Sequence, residues 1–170
     1  MSVEYRQLEA TLEKLAKVDL MQGVKKATAF VQGEAKALCG GFKISSGELR
    51  GSIYTATENE GDVCRGICYT NKKYAPYVEF GTGPTGQEHH AGISPNVDVA
   101  YTQTGWTMPA SAMSLEDAEA YGFGIAKNEN GEVIGYYTNG QPAHPFMYPA
   151  LKNNEKEVTE IILNDARSQI

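Results

Sequence analysis

The strongest constraint on the fold is an apolar stripe that extends through residues 20–38. Its members recur at steps of three and four residues, the period of one face of an α-helix. They are Leu20, Val24, Ala27, Val31, Ala35 and Leu38. Asp19 stands at the predicted N-cap, and Gly40 and Gly41 stand at the predicted C-terminal end. A helix of this length with one apolar face has to be covered by other elements.

Further segments carry helical signals. The N-terminal residues 4–17 hold three leucines at helical spacing: Leu8, Leu12 and Leu15. A short helix is predicted over residues 73–80, with Pro76 in its first turn. Residues 148–168 are predicted to form a single C-terminal helix. Its core-facing positions are Leu151, Val158, Ile161, Ile162 and Ala166.

Strands are predicted in two antiparallel hairpins. The first joins residues 53–57 to Val63–Thr70 through a turn at residues 59–62. Alternation in its second strand places four side chains on one face: Val63, Arg65, Ile67 and Tyr69. The second hairpin joins residues 121–126 to Val133–Thr138, and its turn contains the strong hairpin signal Asn-Gly at residues 130–131.

Between the hairpins, the apolar residues of segment 83–120 follow neither the helical period nor the alternation of a strand. We interpret this segment as a long projecting loop, because such a segment in a compact domain is usually functional or disordered. Its apolar content indicates that this loop becomes ordered on a partner. The sequence therefore predicts one α+β domain over residues 1–170, with its core in residues 20–82 and 121–170. An antiparallel sheet packs against a long helix and a C-terminal helix, with a long inserted loop and hairpin.

The balance of charge disfavours some classes of function. The chain has 15 Lys and Arg against 21 Asp and Glu, a net charge of −6. A protein that grips phosphate backbones carries a basic face, which this balance disfavours. The balance does not exclude DNA as passing cargo, because an acidic wall repels DNA and would let it slide. No apolar run reaches the length of a membrane span, and residues 1–17 lack the apolar segment of a secretory signal. We therefore expect no membrane contact and synthesis in a cytoplasm.

No residue set has the spacing of a catalytic or metal site. The histidines are His89, His90 and His144. Cys64 and Cys68 share one strand face but lack a second pair that would complete a zinc site, so we interpret them as small buried residues. Residues 81–86 are glycine-rich but form neither a phosphate loop nor a dinucleotide fingerprint. We expect no enzyme, metal or cofactor, although a triad that assembles only in space stays open.

Trp106 is the one tryptophan of the chain, and Tyr101 lies near it in sequence. We interpret Trp106 as an anchor of a protein–protein contact, since Trp and Tyr are enriched in such contacts. Stacking on a nucleic-acid base is the alternative. It would need a cationic groove, and there is no Lys or Arg between Lys73 and Lys127.

Three blocks in a fixed order carry a resemblance to a known family. The first block, residues 44–53, reads Ile-Ser-Ser-Gly-Glu-Leu-Arg-Gly-Ser-Ile, and the second, residues 74–82, reads Tyr-Ala-Pro-Tyr-Val-Glu-Phe-Gly-Thr. The third, residues 141–151, reads Gln-Pro-Ala-His-Pro-Phe-Met-Tyr-Pro-Ala-Leu. Together they resemble the bacteriophage head–tail joining or tail-completion family of siphophages, which are minor structural proteins of the neck. Residues 90–106 resemble the longer-loop members from phages and prophages of Gram-positive bacteria.

The resemblance implies a structural virion protein made in a bacterial host. It would form a ring, expected to be a hexamer, at the neck between the head and tail of a long-tailed phage. The implied partners are further copies of the chain, head-completion or connector proteins, and the tail tube or tail terminator protein. The alternative is a DNA-binding or DNA-processing accessory protein of a prophage, which would require a basic face.

The resemblance singles out residues that are expected to be structural or to lie at interfaces. They are Gly47, Leu49, Arg50, Ser52, Tyr74, Tyr77, Glu79, Phe80, Gly81, Thr82, Trp106, Pro145, Phe146 and Pro149. Gly47 and Gly81 are expected to permit backbone conformations that other residues resist. Pro145 and Pro149 are expected to fix the start of the last helix.

Three expectations concern side chains in and around these blocks. Four rings are expected to cluster under the loop: Tyr74, Tyr77, Phe80 and Phe146. Glu79, the one charge in an apolar block, is expected either to pair with Arg50 or to be solvated. Ser45 or Ser46 is expected to cap a short helix over residues 49–52.

Overall fold

The computed structural model describes residues 3–41, 47–61 and 63–170. The helices are α1 (Val3–Leu15), α2 (Met21–Leu38), α3 (Glu48–Gly51), α4 (Ala75–Phe80), α5 (Gly83–Glu88), α6 (Leu115–Ala120), α7 (Met147–Lys152) and α8 (Glu155–Arg167). The strands are β1 (Ile53–Glu60), β2 (Val63–Thr70), β3 (Trp106–Pro109), β4 (Gly124–Lys127) and β5 (Val133–Thr138). The combination of helices with antiparallel strands confirms the predicted α+β class.

Helix α2 forms the centre of the molecule, as its apolar stripe predicts. The interior of the stripe is buried, whereas Leu20 and Leu38 at its ends are exposed. Asp19 does not occupy the N-cap position, which belongs to Leu20. Its carboxylate nevertheless accepts a hydrogen bond from the Met21 N–H at 2.8 Å. An acidic group there satisfies one free donor of the first turn.

The hairpin of β1 and β2 covers one side of α2. Strand β1 extends to Glu60, beyond the predicted end, and pairs in register with β2 from Ile53↔Thr70 to Glu60↔Val63. Gly66 lies against α2 so closely that a Cβ there would overlap the side chain of Thr28. The face that carries Tyr69 and Ile67 therefore points away from α2.

A second antiparallel sheet has the strand order β3–β5–β4. The molecule thus has two small antiparallel sheets, where the sequence predicted one sheet and an inserted hairpin, and residues 83–120 are not loop alone. Within that segment, α5, α6 and β3 are ordered, and residues 89–105 contain neither helix nor strand. Strand β3 has only four residues, too few to show alternation, and it is defined by pairing with β5 from Trp106↔Thr138 to Pro109↔Gly135.

The predicted single C-terminal helix is divided into α7 and α8 at Asn153 and Asn154. The Asn154 side-chain amide donates to the carbonyl of Ala150 at 3.0 Å, which ends α7. The predicted core positions of α8 are only half-buried, and Leu151 is 49% exposed because Ala150 takes the inward position. None of the helices in the described ranges is long and apolar enough to span a membrane.

Candidate functional site: the junction of three sequence blocks

The three sequence blocks meet around one apolar core. Each block contributes buried side chains: Leu49 and Ile53 from the first, Ala75 from the second, and Phe146 and Ala150 from the third. These residues pack on a buried group of α2 and its C-terminal end: Val31, Ala35 and Cys39. The blocks are separated by at least 20 residues in sequence, so only the tertiary fold brings them together.

Backbone hydrogen bonds join the second block to the third. The N–H of His144 donates to the carbonyl of Val78 at 2.8 Å, and the N–H of Thr82 donates to the carbonyl of Gln141 at 2.9 Å. The Gln141 side chain returns a bond to the carbonyl of Tyr77, also at 2.9 Å. The two blocks therefore form a continuous framework although neither contributes a strand.

Glu79 is the charged group at the centre of this framework. Its side chain is buried, with 6% of the residue exposed. Its two carboxylate oxygens accept the N–H groups of Phe146 at 2.7 Å, Met147 at 2.9 Å and Tyr148 at 3.0 Å. Both sequence expectations for Glu79 are wrong: it is not solvated, and among the described residues it forms no ion pair with Arg50.

The chemistry of this site is that of a helix N-terminus. The first N–H groups of a helix have no partner inside it and carry partial positive charge, so a carboxylate satisfies and stabilises them. Pro149, at the third position of α7, has no N–H. Glu79 thus accepts every donor from Phe146 to Pro149. The sequence signal was present as one acid in an apolar block and a Pro-Phe-Met-Tyr-Pro run 66 residues later.

The first block forms α3 and the start of β1. Gly47 has φ +73° and precedes α3, while Arg50 is exposed. Ser52 is buried, and its hydroxyl bonds to the carbonyl of Leu49 and to the Thr70 hydroxyl, both at 2.7 Å. The predicted capping by Ser45 or Ser46 lies outside the described residues.

The predicted aromatic cluster does not form. Tyr74 and Tyr77 are 40% and 59% exposed, whereas Phe146 is 1% exposed. Phe80 is half-buried, and its carbonyl accepts the Tyr101 hydroxyl at 2.8 Å. Burial raises the pKa of this Tyr101 phenol above its usual value. The spacing of the apolar residues alone could not show which faces of the short helix α4 other elements would cover.

Trp106 begins β3 and is 37% exposed. One edge of its indole lies over Gly83, where an added Cβ would come within 2.9 Å of the ring. Trp106 is therefore held against the body on one side and open on the other. Pro145 lies two residues before the start of α7, and Gly92 of the preceding loop approaches its ring.

The remaining chemically reactive side chains have structural surroundings. His90 stacks on Tyr101 with ring centroids 5.8 Å apart, and His89 and His144 contribute backbone bonds to the junction. Within the described ranges, no group of three or more His, Cys, Asp or Glu side chains could hold a metal ion. Burial, and then the negative charge of Glu79, raise the pKa of the Cys39 thiol to about 11, against an opposing effect of Arg50.

Comparison with known protein families gives a match to part of the chain. Residues 5–81 match a family model described as "Bacteriophage HK97-gp10, putative tail-component". The matched segment extends from α1 through α4 and includes the first block and nearly all of the second. No curated protein and no solved structure shows a significant match. The match supports the resemblance to a phage structural family for this part of the chain, and the third block lies outside it.

Proposed function

We propose, from the similarity of residues 5–81 to a phage tail-component family, that this chain is a structural subunit of the neck of a long-tailed phage. In this proposal it forms a ring, with six copies as the expected number. The ring joins the head-completion or connector proteins to the tail tube or tail terminator protein. It acts by shape and contact and needs no catalytic centre.

The observation that carries this proposal is the family match, and the junction extends it to the rest of the chain. Glu79 lies inside the matched segment, yet it binds the start of α7, which lies outside it. A residue of the family segment therefore positions the C-terminal helices. This supports treating the described chain as one structural unit of the proposed ring.

The distribution of charge suits a ring through which DNA passes. Between Lys73 and Lys127 the chain holds six carboxylates and no Lys or Arg. Of these, Glu79 is buried and the others lie on or near α5, α6 and the connecting loop. A surface of this sign repels the phosphate backbone and would let DNA slide without sticking.

Exposed aromatic side chains supply candidate contacts with the neighbouring neck proteins. Tyr77 projects from the second block with 59% exposure, and Trp106 is open on one side. Rigid aromatic groups of this kind commonly dominate binding energy at interfaces. We assign Tyr74, Tyr77 and Trp106 to contacts with partners.

The test is removal of the gene from the phage or prophage that encodes it, followed by particle imaging. The expected lysate contains filled heads and finished tails that are not joined, and wild-type protein supplied in trans restores joined particles. Complementation with Trp106→Ala or Tyr77→Ala is expected to be weaker than with the exposed control Tyr121→Ala. Normal infectious particles without the gene, or absence of the protein from purified virions, would refute the proposal.

A further inference from the structure

Helix α1 carries an apolar face that nothing in the described chain covers. Leu8, Leu12 and Leu15 lie on one side of it and are 56%, 55% and 50% exposed. Among the described residues, the one hydrogen bond from α1 to another part of the chain joins Lys14 Nζ to the carbonyl of Ile170 at 2.7 Å. A 13-residue helix is marginal in water without packing. Another surface is needed to cover these leucines.

An antiparallel pair of α1 helices is an unfavourable solution. The leucines follow steps of four and three, the spacing of anchors that insert into a groove. One flank of this stripe carries Glu9 and Glu13. An antiparallel pair of α1 helices would place these flanks against each other, and like charges repel. The stripe is better matched by an apolar surface with a basic margin.

Such a surface lies between α2, β2 and α7. It is an open groove of about 330 Å³ whose apolar lining is Val31, Gly66, Cys68, Met147 and Leu151. The 49% exposure of Leu151 shows that the groove is unfilled. Lys152, whose side chain is 53% exposed, and Glu155 also line the groove, and they pair with each other at 2.9 Å. Lys36 lies close enough to act on the pKa of Cys68, lowering it against the larger effect of burial.

We propose that α1 of one copy docks its leucine stripe into the α2–β2–α7 groove of a second copy, with Glu9 and Glu13 beside Lys36 and Lys152. This inference rests on the proposed ring and specifies its contact. Helix and groove are different surfaces, so the contact is heterologous and repeats from copy to copy until the ring closes. The α1–α2 connection is held near the C-terminus by Asp19 N–H and Gln169 Oε1 at 2.9 Å.

The test uses full-length protein and light scattering over a wide range of concentration. Leu12→Glu disables the helix and Leu151→Glu disables the groove. Leu163→Glu, at a leucine of α8 that is 40% exposed and outside the groove, is the matched control. The wild type and the control are expected to form the same ring-sized species. Each test variant alone is expected to stay monomeric, with association weakened at least about tenfold by the buried charge. An equimolar mixture of the two should form a 1:1 dimer, because one intact helix and one intact groove remain.

Charge exchange gives a second test that leaves the folded core untouched. Glu9→Lys and Lys152→Glu are each expected to weaken association roughly threefold, and the double variant to recover it. The inference is overturned if Leu151→Glu assembles normally, if the mixture stays monomeric, or if the wild type is monomeric at every concentration. None of these results would alter the outcome of the gene-removal experiment, which tests the proposed function separately.

Discussion

Gly81 lies where three backbone segments approach one another. It has φ +74°, a conformation that L side chains rarely adopt. A Cβ at this position would lie 2.7 Å from Ala143 N, 2.8 Å from the Gln141 carbonyl oxygen and 2.9 Å from Gly86 Cα. All three are backbone atoms and cannot turn aside. Glycine is therefore required here by both conformation and space.

Gly81→Ala is expected to destabilise the protein by about 2 kcal/mol or more, through left-handed strain and the displaced third block. Urea unfolding measures the change. Gly33→Ala is the control, since Gly33 lies in α2 with nothing within 4 Å of the added Cβ. There alanine is expected to stabilise by about 0.5–1 kcal/mol. Equal effects of the two substitutions would contradict this reading of Gly81.

The Cys39 thiol makes the free energy of unfolding depend on pH in the alkaline range. Its folded-state pKa is raised to about 11, so the folded state holds the proton more tightly than the unfolded state. Its contribution is fully present below the ordinary thiol pKa and is lost as the pH rises through the folded value. We therefore expect the stability gap between the wild type and Cys39→Ala to narrow between about pH 9 and pH 11. For the nearby Val31→Ala, which removes no titrating group, the gap measured by urea unfolding should stay constant.

At the scale of the element, α7 depends on a residue of another element. Its N-terminal donors are satisfied by Glu79 of α4, and its end is fixed by Asn154. A helix of six residues has little stability of its own. The start of α7 therefore depends on one buried carboxylate.

Glu79→Gln is expected to lower the free energy of unfolding by about 2 kcal/mol, because the amide replaces one acceptor with a donor and removes the charge. Glu79→Ala should be more severe. Glu88→Gln, at an exposed acid of α5, should change stability by less than about 0.5 kcal/mol. Hydrogen exchange should show the loss of protection in Glu79→Gln first at the amides of Phe146, Met147 and Tyr148. Unchanged protection there would argue against the capping role.

At the scale of the whole molecule, two small sheets and a set of helices are joined through one junction. The β1–β2 hairpin and α8 pack on α2. The β3–β5–β4 sheet is instead connected to the junction through residues 139–146. The segment without Lys or Arg belongs largely to this second part. The net charge of −6 is thus unevenly distributed along the fold.

This distribution predicts the behaviour of the protein towards DNA. No binding to duplex DNA is expected in fluorescence anisotropy at about 150 mM salt, and little at ten times lower salt. A basic DNA-binding protein assayed in parallel serves as the positive control. Salt-sensitive binding by the wild type would favour a DNA-processing accessory protein over a neck subunit.

The sequence by itself determined the elements whose signals are local. The period of α2, the alternation of β2 and the Asn-Gly turn before β5 each depend on neighbouring residues, and the corresponding elements were predicted closely. The order of the three blocks likewise indicated a resemblance to a phage structural family. Steric and hydrogen-bonding preferences within a few residues are sufficient for such features.

Only the tertiary structure decided what depends on distant partners. Strand β3 exists because β5, about 30 residues later, supplies its hydrogen bonds. Glu79 could not be assigned from sequence, because its donors lie 67 to 69 residues away. The exposure of Tyr77 and the division between α7 and α8 were likewise outside local reasoning. A buried polar group must find a partner, but the chain's path through space determines which partner it finds.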